Sequence, residues 1–92
     1  MDAYSKLIEA IIQGQERIIG PLAVEQAQQV SGLEIDWSKH AINLKGDKIK
    51  VVERLVEQYE HLFGQTSVEV CREAASPFLS DLGPAGVPEL LR

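Results

Sequence analysis

The chain has 92 residues, enough for one small domain and too few for most multi-domain enzyme architectures. Hydrophobic residues make up 45% and charged residues 25%, ordinary globular usage, so the chain is expected to fold and not to stay disordered. Nine Lys and Arg against fourteen Asp and Glu leave a net charge of −5, a field that repels phosphate backbones and anionic headgroups. Neither nucleic acid nor a membrane surface is therefore expected as a partner.

Burial sets a tighter limit. A domain of this size hides only about 60% of its unfolded-chain surface, so it gains from association. Aromatics are scarce (Tyr4, Trp37, Tyr59, Phe63 and Phe78), and aliphatic residues must supply most of the core. Cys71 is the only cysteine, which excludes an intramolecular disulfide and suits a reducing cytoplasm. In VEVCREAA it reads as a small core residue. The N-terminal MDAYSKLIEA has no apolar run of signal length, and no segment reaches the roughly 18 apolar residues of a membrane span.

From Tyr4 to Ile19 the apolar residues recur at helical spacing, predicting an amphipathic helix capped by Asp2 or Ser5. Gly14 and Gln15 interrupt the stripe, and a close helix crossing is one reason a glycine would stand there. Gly20-Pro21 suits a helix stop and restart, with a kinked continuous helix as the alternative. Leu22, Ala23, Ala27 and Val30 give a second stripe, closed by Ser31-Gly32.

The helical period is lost over residues 33–45. Leu33, Ile35 and Trp37 alternate with polar residues, as do Ile42 and Leu44, which fits two short strands. Asp36 capping a short helix that carries Trp37, Ala41 and Leu44 is the competing assignment, and a packed crossover with little regular structure or one short helix is the favoured expectation. The charged stretch Lys39, His40, Lys45, Lys48 and Lys50 around Asp47 reads as a solvated loop and first helical turn.

From Asp47 the period returns through Ile49, Val52, Leu55, Val56, Tyr59, Leu62 and Phe63, ending at Gly64. Thr66 or Ser67 is expected to cap a fourth helix, with Val68, Cys71, Ala74 and Ala75 inward and Glu69, Arg72 and Glu73 in water. Ser76-Pro77 breaks it. Residues 81–92, rich in Gly and Pro, are expected to be an extended or mobile tail following a helical domain over 1–80, with PELLR able to form one turn on a partner.

A shift of 44 residues aligns IEAIIQGQERIIGPLAVEQAQQV with VERLVEQYEHLFGQTSVEVCREA without a gap. Glu9, Glu16, Gly20, Val24 and Glu25 meet identical residues at Glu53, Glu60, Gly64, Val68 and Glu69. The fold class expected is all-α, a four-helix arrangement of two helix, glycine turn, helix hairpins joined by the crossover. Each hairpin has one apolar face that it cannot bury alone, so apolar surface left over after packing favours a homodimer about a two-fold axis.

The string IIGPLA at Ile18 to Ala23, followed by a helix, resembles a short helical segment at the ends of bacterial signalling proteins, beside kinase, receiver or cyclase domains. That resemblance implies a bacterial regulatory or assembly role without catalysis. AQQVSGLEID resembles the start of a helix-turn-helix, but Ala27 precedes Gly32 by five residues and no basic recognition helix follows.

His40, His61 and Cys71 have no ligand spacing, and no phosphate-binding glycine motif is present, so no metal or other cofactor is expected. Glu53, Glu57 and Glu60 form a row that solvates a surface. The expectation is a self-associating, non-enzymatic helical module for protein–protein interaction or regulation, with Trp37, Tyr59 and Phe63 as candidate anchors and core packing as the competing role for each. A bundle enclosing a small apolar ligand is the alternative.

Overall fold

The computed structural model describes residues 2–91. The chain is mostly helical, with four main helices and one small antiparallel sheet. Helix α1 (Ala3–Ile19) starts where the Asp2 carboxylate accepts the Ser5 N–H at 2.8 Å, and it stops at Gly20, whose φ of 67° lies in the region that favours glycine. Helix α2 (Leu22–Ala27) follows at once, with Pro21 at its entry. Two strands, β1 (Leu33–Asp36) and β2 (Ala41–Leu44), precede helix α3 (Lys48–Phe63). Asp47 caps α3 by accepting the N–H groups of Ile49 and Lys50. Gly64 ends α3, and helix α4 (Gln65–Ala75) begins on the next residue.

The crossover is thus regular, and of the competing assignments the strands are the ones formed. Leu33 pairs with Leu44 and Ile35 with Ile42 around a 3-10 turn over Trp37–Lys39. His40 closes that turn with φ 51°, an uncommon conformation for a residue with a Cβ. Alternation turns Leu33 and Ile42 into the core, and Ser5 Oγ donates to the Ile42 carbonyl at 3.2 Å, tying the hairpin to α1. Gly32 is required at the hairpin base: a Cβ there would stand 2.8 Å from the Lys45 carbonyl oxygen and 2.9 Å from Val51 Cγ2.

Helix α4 corrects two expectations. Neither Thr66 nor Ser67 caps it, since Gly64 occupies the cap position and Ser67 Oγ instead donates to the Gly64 carbonyl at 2.7 Å. Arg72 is half-buried, its Nε donating to the Leu90 carbonyl at 2.9 Å while its Nη1 pairs with Glu69. The tail is correspondingly folded back and not extended. After Ser76-Pro77-Phe78 and a single turn α5 (Leu79–Leu82), 3-10 turns at Pro84–Gly86 and Glu89–Leu91 bring Val87 and Leu91 into the core. The Glu89–Leu91 turn of that segment packs on this chain's own α4.

The core is aliphatic with one aromatic at its centre. Leu7, Ile8, Ile11 and Ile12 of α1 meet Val52, Leu55, Val56 and Tyr59 of α3 and Val68, Cys71 and Ala75 of α4. Each buried Leu or Ile contributes about 1.5–3 kcal/mol against the conformational entropy of folding. Helix α1 packs chiefly on α4, with Gln15 meeting Ser67 and Gly14 meeting Ala74.

Candidate functional site

The three expected anchors do not form one exposed surface. Tyr59 is 0% exposed and its hydroxyl donates to the Ala23 carbonyl at 2.7 Å, so it is a core residue that joins α3 to α2. A broad apolar face at helical spacing does not say which of its aromatics lies deepest, which is why the pattern alone left Tyr59 available as an anchor. Trp37 is half-buried at the hairpin turn, its ring centroid 5.0 Å from that of His40. Phe63 is half-buried against the core at the end of α3.

A buried polar centre lies where the sequence showed only an interrupted stripe. Gln15 is 1% exposed, and its amide nitrogen donates to the Ser67 carbonyl at 2.8 Å and reaches Cys71 Sγ at 3.3 Å. Burial holds the Tyr59 phenol well above the usual tyrosine range, with Cys71 and then Glu16 acting in the same direction. Burial also pushes the Cys71 thiol up to about 11, partly opposed by the Gln15 amide. At neutral pH the thiol is therefore protonated and lacks the thiolate that nucleophilic or ligand chemistry needs.

These contacts have a regular spacing. Tyr59 follows Gln15 by 44 residues and Ser67 follows Ala23 by the same interval, so each long helix donates one side-chain hydrogen bond to the equivalent carbonyl on the other short helix. Farther out, Gly14 stands against Val70, where a Cβ would lie 3.4 Å from Cγ1, and Gln58 Nε2 donates to Gln26 Oε1 at 2.9 Å. Those two contacts are also 44 residues apart. The glycine at each junction agrees as well: Gly20 N–H donates to the Glu16 carbonyl and Gly64 N–H to the Glu60 carbonyl, at 2.9 and 2.8 Å. The signal was available in the gapless alignment, which sets Gln15 over Tyr59.

On the outside, two grooves flank this centre. One, of about 430 Å³, lies between α1 and α4 and is lined by Ala10, Gly14, Ala74, Ile18 and Phe78, with Arg17 and Glu73 among its charged residues. The other, of about 360 Å³, lies between α3 and the end of α2 and is lined by Arg54, Glu57, Gln58, His61 and Gln29 among others. Among the described residues Ile18, Leu22 and Leu62 are the large apolar side chains that stay exposed, Ile18 most of all at 64%. In the basic stretch Lys45 pairs with Glu34 on the facing strand, while Lys48 reaches Asp2 at the start of α1 and His40 reaches Glu9 of α1, all at exposed or half-buried positions.

Among the described residues no group of three or more His, Cys, Asp or Glu side chains is placed to hold a metal ion, and no helix is long and apolar enough to cross a membrane. Set against protein-family models, curated proteins and solved structures, the chain matches none of them.

Proposed function

We propose that the chain is a non-enzymatic helical interaction module that self-associates, built from two helix, glycine turn, helix units that lie 44 residues apart. The observation that carries this is the placement of the exposed apolar residues. Ile18, Leu22 and Leu62 sit beside the Gly20 and Gly64 junctions, and the Gln15–Ser67 and Tyr59–Ala23 bonds place both junctions at one end of the molecule. Large apolar side chains gathered at one end of a small acidic chain fit a protein contact better than a phosphate backbone. Support for two related units comes from the matched hydrogen bonds and the matched junction glycines. A regulatory role of the kind implied by the IIGPLA resemblance is part of the same proposal.

Sedimentation equilibrium from micromolar to millimolar protein tests self-association: a rising average mass supports it, and a monomer throughout refutes it. One observation favours a second assignment, an apolar small ligand, because the α1–α4 groove of about 430 Å³ falls in the size range of ligand sites. Native mass spectrometry of the purified chain separates the two. Co-purified mass above that of the polypeptide supports the ligand, and bare polypeptide removes it.

A further inference from the structure

We propose that the groove between α1 and α4 is the surface through which two copies of this chain pair, each Arg17 meeting Glu73 of the second copy across a two-fold axis. This rests on the self-association proposed above and adds where and how the copies meet.

Ala10, Gly14 and Ala74 contribute no more than a methyl each, and the missing Gly14 Cβ would lie only 3.5 Å from that of Ala74. Helices this close leave a shallow channel that a side chain from outside can enter. Ile18, at 64% exposure, stands at the same groove as a large apolar knob. A two-fold axis offers each copy's Ile18 to the small residues of the other.

Packing does not require Ala10 and Gly14 to be small. A shift of 44 residues carries Ala10, Gly14 and Arg17 onto Arg54, Gln58 and His61, and Glu73 onto Gln29. Those four line the second groove, where the amides of Gln58 and Gln26 span the two helices at 2.9 Å. The same architecture therefore accepts long polar side chains that fill the channel from within. In the first groove Ala10 and Gly14 take the places of Arg54 and Gln58, while the other two places are held by the charged Arg17 and Glu73, so the groove combines small residues with charged ones.

The groove carries one charge of each sign, Arg17 from α1 and Glu73 from α4, and among the described residues neither has an ion-pair partner. A partner of one sign would match one of them and oppose the other. A second copy related by a two-fold axis presents Glu73 to Arg17 and Arg17 to Glu73, matching both at once. A standard interface takes about 800 Å² from each partner, about a sixth of the 5057 Å² surface of this chain. The groove runs along only about 12 Å of α1, from Ala10 to Ile18, so the pairing is weak and concentration-dependent.

The test is a charge swap read by sedimentation equilibrium up to millimolar protein, with far-UV circular dichroism as the check on folding. Both residues are exposed, so Arg17→Glu and Glu73→Arg each leave the fold intact. Each alone places like charges across the axis and is expected to weaken pairing by about tenfold or more. Mixing the two variants in equal amounts creates a heterodimer in which both contacts are again of opposite sign, and its dissociation constant returns to near the wild-type value. His61→Glu in the second groove leaves pairing unchanged. If the wild type pairs and neither single variant weakens it, or if the mixture is no tighter than its components, the assignment of this surface is overturned while self-association stands. A wild type that remains monomeric at millimolar concentration overturns both.

Discussion

Replacing Tyr59 by Phe removes one hydroxyl from a residue with no exposure and leaves the Ala23 carbonyl without its side-chain donor. Loss of a buried donor opposite a carbonyl costs about 1–2 kcal/mol, and the ring itself still fills its site, so no cavity term is added. Urea unfolding followed by circular dichroism at neutral pH should show a lower midpoint with an unchanged slope. The pH dependence makes the prediction sharper. Burial raises the phenol's pKa in the folded state, so its contribution is complete below the ordinary tyrosine pKa of about 10 and is lost as pH rises above it. By pH 11 the unfolded wild type gains about 1.4 kcal/mol from ionising this phenol, and the variant has no such group. The two stability curves should therefore converge near pH 11 after standing apart at neutral pH. A variant as stable as the wild type at neutral pH, or a gap that stays constant through alkaline pH, would refute the buried hydrogen-bonded placement. Self-association should be unaffected, because the change alters nothing on the surface.

Two glycines should respond in opposite directions. Gly14→Ala adds a methyl at ordinary contact distance, 3.4 Å from Val70 and 3.5 Å from Ala74, and gains helix propensity, so it should stabilise by up to about 1 kcal/mol in thermal melts. Gly32→Ala forces φ 87° on a residue with a Cβ placed 2.8 Å from the Lys45 carbonyl oxygen, and should destabilise by about 1–3 kcal/mol. At the start of α1, Asp2→Ala should cost about 1 kcal/mol at neutral pH by removing the cap. The Ser5 N–H and Lys48 hold the Asp2 carboxyl at about 2, so its stabilisation is present above its ordinary value near pH 4 and lost as pH falls toward 2. Asp2→Asn keeps the cap but should lack that acid-side loss, which urea midpoints across acidic pH would reveal. The Cys71 thiol, raised to about 11, should react with a thiol reagent at neutral pH only as fast as the core opens, with urea accelerating the labelling. Rapid stoichiometric labelling of the folded chain would place the thiol at the surface instead.

The local punctuation of the chain was readable because its physics is local. Asp2 caps a helix, Gly20 and Gly64 stop helices, and Pro77 breaks α4, each through groups within four residues, whereas the cap expected at Thr66 or Ser67 failed because Gly64 takes that position. The hairpin was ambiguous because four-residue strands offer too few alternations to outvote a short helix, and distant groups decide it: Ser5 holds Ile42, and Gly32 fits against Val51. The tail shows a different limit. Gly83, Pro84, Gly86 and Pro88 do prevent a long helix there, but composition speaks to regular structure and not to burial, and Val87 and Leu91 are core residues. Arg72 looked like surface for a related reason, since its partner, the Leu90 carbonyl, is a backbone group that carries no sequence signal. Gln15 reads in the sequence as an interruption of an apolar stripe, because its partner, the Ser67 carbonyl, is again a backbone group.

For a chain proposed to be two related units, agreement and departure between them carry different information. The centre keeps one geometry with two chemistries: an amide on one side and a phenol on the other each reach a carbonyl of the opposite short helix. Either group satisfies the same packing need, which is to give a buried donor a partner where two helices meet. The outer contacts depart from each other more deeply. Gln58 and Gln26 bridge their groove through a hydrogen bond, whereas Gly14 and Val70 meet only by contact and leave the channel above them open. If the two units are related as proposed, the α1–α4 groove is where they differ in side-chain chemistry, and it is lined by Ile18 and by Arg17 and Glu73, which have no ion-pair partner among the described residues.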